Sequence, residues 1–241
     1  NMSFWAVFPI ILLFILFFLK VPVAYSMIIA SVSYFLLCPG TPDISMMMQK
    51  MVSANSSFTY LAIPFFTCAG VVFGYSGITN RLLGLCNLLV GRRTGGMAQV
   101  NILLSALMGG LSGSANADAA LQSKMLVPEM EKLGYKRSFS CAVTAASSCI
   151  TPIIPPGIIL ILYASASNVS VEKMFYAGYI PGIVITATMM LLTWWICKKR
   201  NYKPSREAAP TAKEVVHALI DAIPALFVPF GLVLGLRLGW F

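Results

Sequence analysis

Long stretches without a single charged residue run through most of this sequence. They lie at residues 1–19, 21–42, 51–80, 94–117, 138–171, 174–197 and 222–236. A helix that crosses a bilayer needs about 20 mostly apolar residues, and most of these stretches are long enough. Charged residues make up only 10% of the chain, against about 25% in ordinary soluble domains, which is too few to cover a soluble core. The sequence therefore predicts an all-α polytopic membrane protein.

The formal net charge of +9 is typical of a membrane protein with basic cytoplasmic loops, so we predict no nucleic-acid partner. The six cysteines form no CxxC pair and lie in or beside apolar stretches. We therefore expect them to be small core residues rather than disulfides or metal ligands. No cleavable signal peptide is evident. The sequence begins with Asn1 and stops at the end of an apolar run, and we expect it to be part of a longer protein.

The distribution of lysine and arginine predicts which face of the membrane each loop occupies, because cytoplasmic loops are enriched in these residues. If every apolar stretch crossed once, the basic residues would divide six to ten. If the stretch around 97–131 enters and returns on the same face, 13 of the 17 lie on one side. The second arrangement predicts about six transmembrane helices, one re-entrant helical hairpin and a periplasmic N-terminus.

The centre of the 97–131 stretch has the composition of a helix break. Residues 109–118 read GGLSGSANAD; glycines release the helix, and small hydroxyls can satisfy the freed backbone groups. Residues 98–111 would span about 21 Å as a helix, which reaches the middle of a bilayer without crossing it. A single helix kinked at Gly109-Gly110 in a packed bundle is the alternative.

A second break is predicted within 138–171. Residues 147–157 read SSCITPIIPPG, and three prolines with a glycine in six residues cannot continue a regular helix. Backbone that is not helical at membrane depth must be buried in protein or line a wet cavity. The hairpin tip and this break are therefore expected together near the bilayer midplane. Residues 77–96 predict an interfacial amphipathic helix, and residues 213–221 predict a second one.

A cation site is predicted where these two breaks meet. Asp118 is the only acidic residue in the apolar stretches between 51 and 128, and an ionisable residue at membrane depth indicates function. Carboxylate, hydroxyl and amide oxygens, with freed backbone carbonyls, suit a small hard cation. The alternative for Asp118 is a helix N-cap, where negative charge is favoured. The predicted ligands each carry a side-chain oxygen and flank the two breaks: Ser112, Ser114, Asn116, Asp118, Ser147, Ser148 and Thr151.

An anion site is predicted beside it, at the starts of the two half-helices, because their first N–H groups have no intrahelical partner. One half-helix starts near Asn116. The other starts after Pro155-Pro156, so that Gly157 and Ile158 are its first donors. Lys124 is the deeper basic residue and would attract an anion; snorkelling or pairing with a neighbour is its alternative.

Enzyme chemistry is not predicted. The segment Gly110-Leu111-Ser112-Gly113 resembles a serine-protease motif, but the only histidine, His217, falls in a cytoplasmic segment away from it. No pair of membrane aspartates, no HExxH and no P-loop occurs. The sequence predicts no organic cofactor.

Three segments resemble the large membrane subunit of tripartite ATP-independent periplasmic (TRAP) transporters, and the similarity runs through essentially the whole chain. They read LAIPFFTCAG at 61–70, GGLSGSANADAALQSKMLVPEM at 109–130 and YKRSFSCAVTAASSCITPIIPPGIILILYA at 135–164. The resemblance implies a sodium-driven secondary transporter of organic acids, of the C4-dicarboxylate or sialic acid type. It also implies a small membrane subunit, a periplasmic substrate-binding protein, and a place in the bacterial inner membrane among its lipids. The cation site would then bind sodium and the anion site the substrate.

The resemblance further implies an elevator mechanism and a second, inverted repeat that this chain lacks. The chain would be the first half of such a transporter. We expect residues 1–76 to be mainly scaffold, 77–96 an interfacial helix, 97–168 the transport part, and 169–241 scaffold helices with a basic loop. A channel, or a passive membrane scaffold without sodium coupling, is the rival function.

Overall fold

The computed structural model describes residues 4–37, 43–56, 64, 65, 68, 71, 72, 76–206 and 210–238, and these residues form helices and no strand. The first helices are α1 (Phe4–Phe18), α2 (Val23–Leu37), α3 (Ile44–Asn55), α4 (Ile78–Val90) and α5 (Gly96–Ser112). The others are α6 (Ala115–Lys132), α7 (Arg137–Ser148), α8 (Ile158–Ser167), α9 (Val171–Lys199) and α10 (Ala212–Leu238). The all-helical prediction is confirmed for the described residues.

The chain divides into two compact units, residues 1–58 and 59–241. In the first unit, α1 and α2 pack side by side across a short turn, and α2 contacts α3. Lys20 adopts a positive φ of 60° in that turn. Residues 57–63, 66, 67, 69, 70 and 73–75 of the uncharged stretch at 51–80 lie outside the described residues.

The second unit is built around α5, of whose 17 residues 13 are buried. This helix packs against α4, α6, α7, α9 and α10. Its apolar side chains, Val100, Ile102 and Leu104, are at most 1% exposed. The sequence explains why α5 is buried at the centre of the unit, because residues 96–112 carry no charged side chain that would require contact with solvent.

Helix α9 is the one described helix that is long and apolar enough to cross a membrane, judged by length and composition. Its 29 residues extend about 43 Å. Outward-facing Ile180, Ile183 and Leu191 are 63–72% exposed, which suits a helix whose surroundings are apolar. Helices α1, α2, α4, α5 and α8 are apolar but shorter, so the predicted number of spans stays a prediction.

Three basic connections of the second unit meet at one end. Tyr135, between α6 and α7, stacks on Tyr202 beyond α9 with ring centroids 4.4 Å apart, and its hydroxyl donates to the Lys203 carbonyl at 3.0 Å. The Ser205 amide donates to the Gly91 carbonyl, between α4 and α5, at 2.9 Å. The connections that enter and leave the α5–α6 pair therefore both touch the segment that follows α9.

The sequence places one helix boundary wrongly. It predicts an interfacial helix over 213–221 and a separate apolar segment over 222–236, whereas α10 is a single helix from Ala212 to Leu238. No glycine or proline occurs between 213 and 223, so nothing in the backbone ends a helix there. A change in polarity alone does not interrupt a helix.

Candidate functional site

The α5–α6 pair is a helical hairpin with a two-residue bend. Gly113 ends α5 in the left-handed conformation, with φ 57°. Ser114 then caps α6, because its hydroxyl accepts a hydrogen bond from the Ala117 amide at 3.4 Å. The two arms run antiparallel, since Gln122 and Ser105, each about two turns from the bend, are hydrogen-bonded at 2.7 Å. The predicted tip residues thus form the bend.

The break between α7 and α8 packs directly against this bend. Residues 149–157 form turns rather than helix, and the Pro155–Pro156 peptide is cis. A Cβ atom added to Gly113 would lie 2.8 Å from the Pro156 carbonyl oxygen, and one added to Gly109 would lie 2.8 Å from the Ile154 Cβ. Backbone approaches this close require glycine. The two breaks predicted from sequence are therefore neighbours in space.

Helix α9 covers the other side of the break through two more glycines. A Cβ on Gly178 would lie 2.7 Å from the Ile153 carbonyl oxygen, and a Cβ on Gly182 would lie 2.7 Å from Ile154 Cγ1. The non-helical segment is thus held between the hairpin and α9. Residues 169–241, which include α9, were assigned to the scaffold by prediction, and that assignment stays a prediction.

A buried polar network lies beneath the tip, centred on Asp118. One carboxylate oxygen accepts a hydrogen bond from Gln122 Nε2 at 2.7 Å, and the other accepts one from the Thr151 hydroxyl at 2.9 Å. Thr151 Oγ1 also lies 3.2 Å from the Ser105 carbonyl oxygen. Asp118, Gln122, Ser105 and Thr151 are each at most 1% exposed. The ion pairs of the described residues do not include Asp118, so this acidic group is buried among neutral donors.

The network continues from α5 into α7. Asn101 Nδ2 donates to the Thr144 hydroxyl at 2.8 Å, and the Ser147 hydroxyl donates to Asn101 Oδ1 at 2.7 Å. The Ser148 hydroxyl donates to the Thr144 carbonyl at 2.7 Å. All four residues are buried. These bonds fix the register of α7 against the hairpin.

The structure separates the predicted cation ligands into two groups. Asp118, Ser147, Ser148 and Thr151 belong to the buried network, whereas three residues lie at the tip. There, Ser112 and Ser114 are half-buried and Asn116 is exposed, and the Ser112 hydroxyl lies 3.4 Å from the Met108 carbonyl oxygen. The alternative of Asp118 as the helix cap is wrong, because Ser114 is the cap.

The predicted anion-binding residues also differ in their surroundings. In the described part of the chain, the Ile158 amide, at the start of α8, has no backbone acceptor, and it would lie 3.2 Å from a Cβ on Gly113. A Cβ on Gly157 would lie 2.1 Å from the Pro152 carbonyl oxygen, so Gly157 is required by packing whether or not it binds an anion. Lys124 is exposed and lies two residues from buried Gln122, on the opposite face of α6.

Sequence reasoning missed four members of the network: Asn101, Ser105, Gln122 and Thr144. The signal was the spacing. Asn101 and Ser105 are four residues apart in an apolar helix, as are Asp118 and Gln122 in α6, and such pairs share one helix face. The prediction considered only residues with side-chain oxygens near the two breaks, and it left out the polar residues within the helices.

One atom of the network has no hydrogen-bond partner. Gln122 Oε1 is buried and accepts no hydrogen bond in the described residues, although its amide nitrogen donates twice. A buried acceptor left unpaired is costly. An amide carbonyl beside a carboxylate and two hydroxyls is also a donor set for a hard cation such as sodium. No group of three or more His, Cys, Asp or Glu that could hold a metal ion occurs in the described residues.

A buried carboxylate lies under a helical hairpin and a proline-rich helix break, and the comparisons identify the family of the chain. Residues 10–241 match the family described as "Tripartite ATP-independent periplasmic transporter, DctM component". The chain belongs to this family. Its members are transporter permeases, which confirms both the resemblance stated from the sequence and the prediction that the chain is not an enzyme.

Several relatives are about one-third identical. The chain is 38% identical over 199 residues to the 2,3-diketo-L-gulonate TRAP transporter large permease protein YiaN of Escherichia coli, covering 83% of the chain and 46% of YiaN. It is 35% identical over 226 residues to the sialic acid TRAP transporter large permease protein SiaM of Vibrio cholerae, covering 94% and 52%. It is 33% identical over 215 residues to the isethionate TRAP transporter permease protein DctMQ of Oleidesulfovibrio alaskensis, covering 89% and 33%. The chain therefore spans about half the length of these relatives or less.

Proposed function

We propose that this chain is the first half of a sodium-driven secondary transporter that takes up a small organic acid across the bacterial inner membrane. The observation that carries the proposal is the buried Asp118 carboxylate, surrounded by neutral groups next to a helix break. An ionised carboxylate without a positive partner is unfavourable in a buried site. A cation that binds there supplies the missing charge.

Sodium is the proposed coupling ion, and it is proposed to be transported together with the organic acid. It is small and hard and takes oxygen ligands, which this region offers from both breaks. Asp118 and Thr151 are already in contact, and the unpaired Gln122 Oε1 beside them is a further ligand. The tip residues Ser112, Ser114 and Asn116 would complete a binding region near the bend, some of them through backbone carbonyls.

The organic acid is proposed to bind next to the cation region. Among the described residues, the Ile158 amide at the start of α8 has no backbone acceptor, and helix N-termini attract anions. Discontinuous helices that present N–H groups to an anion and carbonyls to a cation are how secondary transporters build sites at the midplane. Relatives are named for 2,3-diketo-L-gulonate and sialic acid, which are both carboxylic acids. A substrate of the sialic acid or C4-dicarboxylate type fits this chemistry.

The proposed partners are a periplasmic binding protein that delivers the substrate, a small membrane subunit, and a second inverted repeat. The proposed movement is that of an elevator, in which residues 97–168 slide against a scaffold. The α5–α6 hairpin is proposed to be re-entrant. Supporting this, both connections of the hairpin touch the basic segment that follows α9, so its ends lie at the same end of the unit.

Cysteine labelling tests the proposed orientation. In a variant whose six native cysteines are replaced, a single cysteine at Arg92 or at Lys132 should react only with reagents applied from the cytoplasmic side. Both residues are exposed and flank the hairpin. Labelling of Arg92→Cys and Lys132→Cys from opposite sides would contradict the re-entrant hairpin, because only a segment that crosses the membrane once separates its ends.

Substitutions at the tip test the sodium region. Ser112→Ala and Asn116→Ala should each raise the sodium concentration for half-maximal uptake about fivefold, the effect of losing one polar contact of about 1 kcal/mol. Ser123→Ala is the matched control, because Ser123 is exposed on α6 and, within the part of the chain that the structure describes, its hydroxyl donates to carbonyls of its own helix. An unchanged sodium dependence in both tip variants would remove these residues from the site.

A further inference from the structure

A cavity of the second unit lies between the α4–α5 turn and the C-terminal part of α9. Its volume is about 740 Å³, within the range of cavities that hold an organic ligand. Arg92, Arg93 and Thr94 line it from the turn. The opposite wall is apolar and comes from α9, where Ala187, Met190 and Leu191 contribute.

The two arginines of this cavity have no acidic partner in the described residues. Both side chains are exposed, and neither takes part in the ion pairs of the described chain. Arg206 contrasts with them, since it pairs with Glu214 at 2.5 Å, and that hydrogen bond lowers the pKa of the Glu214 carboxyl. No aspartate or glutamate is among the described residues that line the cavity. Its polar end therefore carries two uncompensated positive charges.

The position of the cavity along α9 places it at the edge of a bilayer. Met174 to Trp194 extends about 30 Å along the helix, the thickness of a hydrocarbon core. Trp194 lines the cavity and is 40% exposed, and the Lys198 ammonium lies 5.1 Å from its ring centroid. A tryptophan followed by lysines marks the membrane–water interface. The arginines are thus at headgroup depth, and the apolar wall extends toward the acyl chains.

We infer that this cavity binds an acidic phospholipid, with its phosphate between Arg92 and Arg93 and the upper part of an acyl chain against Ala187 and Leu191. The combination of two arginines with an apolar wall favours a lipid over a free phosphate, because a free phosphate would need no apolar wall. Basic pockets beside transmembrane helices on the cytoplasmic face bind acidic headgroups. Gln99 closes the inner end of the site, because its amide donates to the Met190 carbonyl at 2.8 Å and joins α5 to α9. The inference requires α9 to span the membrane, but it does not require sodium coupling.

Quenching of Trp194 fluorescence by brominated lipids tests the site. The protein, with Phe at its three other tryptophans, is reconstituted in phosphatidylcholine vesicles that contain increasing amounts of brominated phosphatidylglycerol. We expect phosphatidylglycerol to be preferred over phosphatidylcholine by about fivefold or more, from two basic residues at the membrane surface. The Arg92→Gln/Arg93→Gln double variant should lose this preference. The Lys136→Gln/Lys213→Gln control removes two exposed charges elsewhere and should keep it.

A third variant separates the cavity from general electrostatic attraction. Ala187→Phe fills the apolar wall without changing the charge, and it should also remove most of the preference. Inorganic phosphate should not displace the lipid. The inference would be overturned by equal quenching by the two lipids or by displacement of the lipid by phosphate. It would also be overturned if the preference for phosphatidylglycerol survived in Arg92→Gln/Arg93→Gln or in Ala187→Phe.

Discussion

Asp118→Asn is expected to abolish sodium-driven uptake while the protein remains folded. The substitution removes the one negative charge of the buried network but keeps the shape of the side chain. The Asn amide can donate to Gln122 Oε1, which has no partner in the native network, so packing should be preserved. A buried cation without its counter-charge is destabilised by about 3 kcal/mol or more, so sodium affinity should fall at least about a hundredfold.

Two measurements on the purified protein distinguish this loss of binding from misfolding. The native protein should show a rise in melting temperature when sodium replaces potassium, because a ligand that binds only the folded state stabilises it. Asp118→Asn should keep the melting temperature that the native protein has in potassium and lose the rise. The control is Asp221→Asn, since Asp221 is exposed and, among the described residues, its carboxylate pairs with His217 at 3.0 Å. A normal rise in melting temperature with sodium in Asp118→Asn would contradict the assignment of Asp118 as a sodium ligand.

Gly113→Ala is expected to have the second large effect, this time on stability. Gly113 has a φ of +57°, and an alanine Cβ there would lie 2.8 Å from the Pro156 carbonyl oxygen and 3.2 Å from the Ile158 amide nitrogen. The left-handed conformation costs alanine about 1 kcal/mol, and a contact that cannot relax costs about 1–3 kcal/mol more. Because the tip and the break would be forced apart, uptake should fall with the melting temperature.

Two other glycines separate these contributions. Gly134 has a φ of +85° with nothing within 4 Å of an added Cβ, so Gly134→Ala carries the conformational cost alone. Gly84 lies within α4, and an added Cβ there also meets nothing within 4 Å, so Gly84→Ala should stabilise the helix slightly. From highest to lowest, the expected order of melting temperatures is Gly84→Ala, the native protein, Gly134→Ala and then Gly113→Ala. Equal values for Gly113→Ala and Gly134→Ala would show that the tip is not packed on the break.

The backbone of the site could be predicted because glycine and proline residues mark the places where its helices break. The bend at Gly113-Ser114 and the non-helical residues 149–157 fall where the sequence places them. These residues act locally, through positive φ or a missing N–H, so no knowledge of the tertiary structure is required. The end of α4 at Val90 differs from the prediction, which extends the interfacial helix over 77–96, and Gly91 after it keeps a right-handed φ of −61°.

The side-chain network could not be predicted as directly, because it depends on which helix faces meet. Thr151 reaches Asp118 across 33 residues, and Asn101 reaches Ser147 across 46. Spacing alone indicates that Asn101 and Ser105 share a face, but it does not indicate that α7 covers that face. The alternative that Asp118 is the helix cap is wrong for the same reason, since the nearer residue Ser114 satisfies the helix end and leaves the carboxylate for the interior.

Uptake against a concentration gradient tests the central proposal most directly. The complete transporter, with its small membrane subunit and binding protein, is reconstituted in vesicles and given a panel of labelled organic acids, including sialic acid and C4-dicarboxylates. An inward sodium gradient should concentrate one class of acid inside the vesicles, and replacing external sodium with potassium should reduce that accumulation to equilibration or less. Flux that proceeds equally without sodium and without the binding protein, and never exceeds equilibration, would contradict sodium-coupled transport and identify a channel.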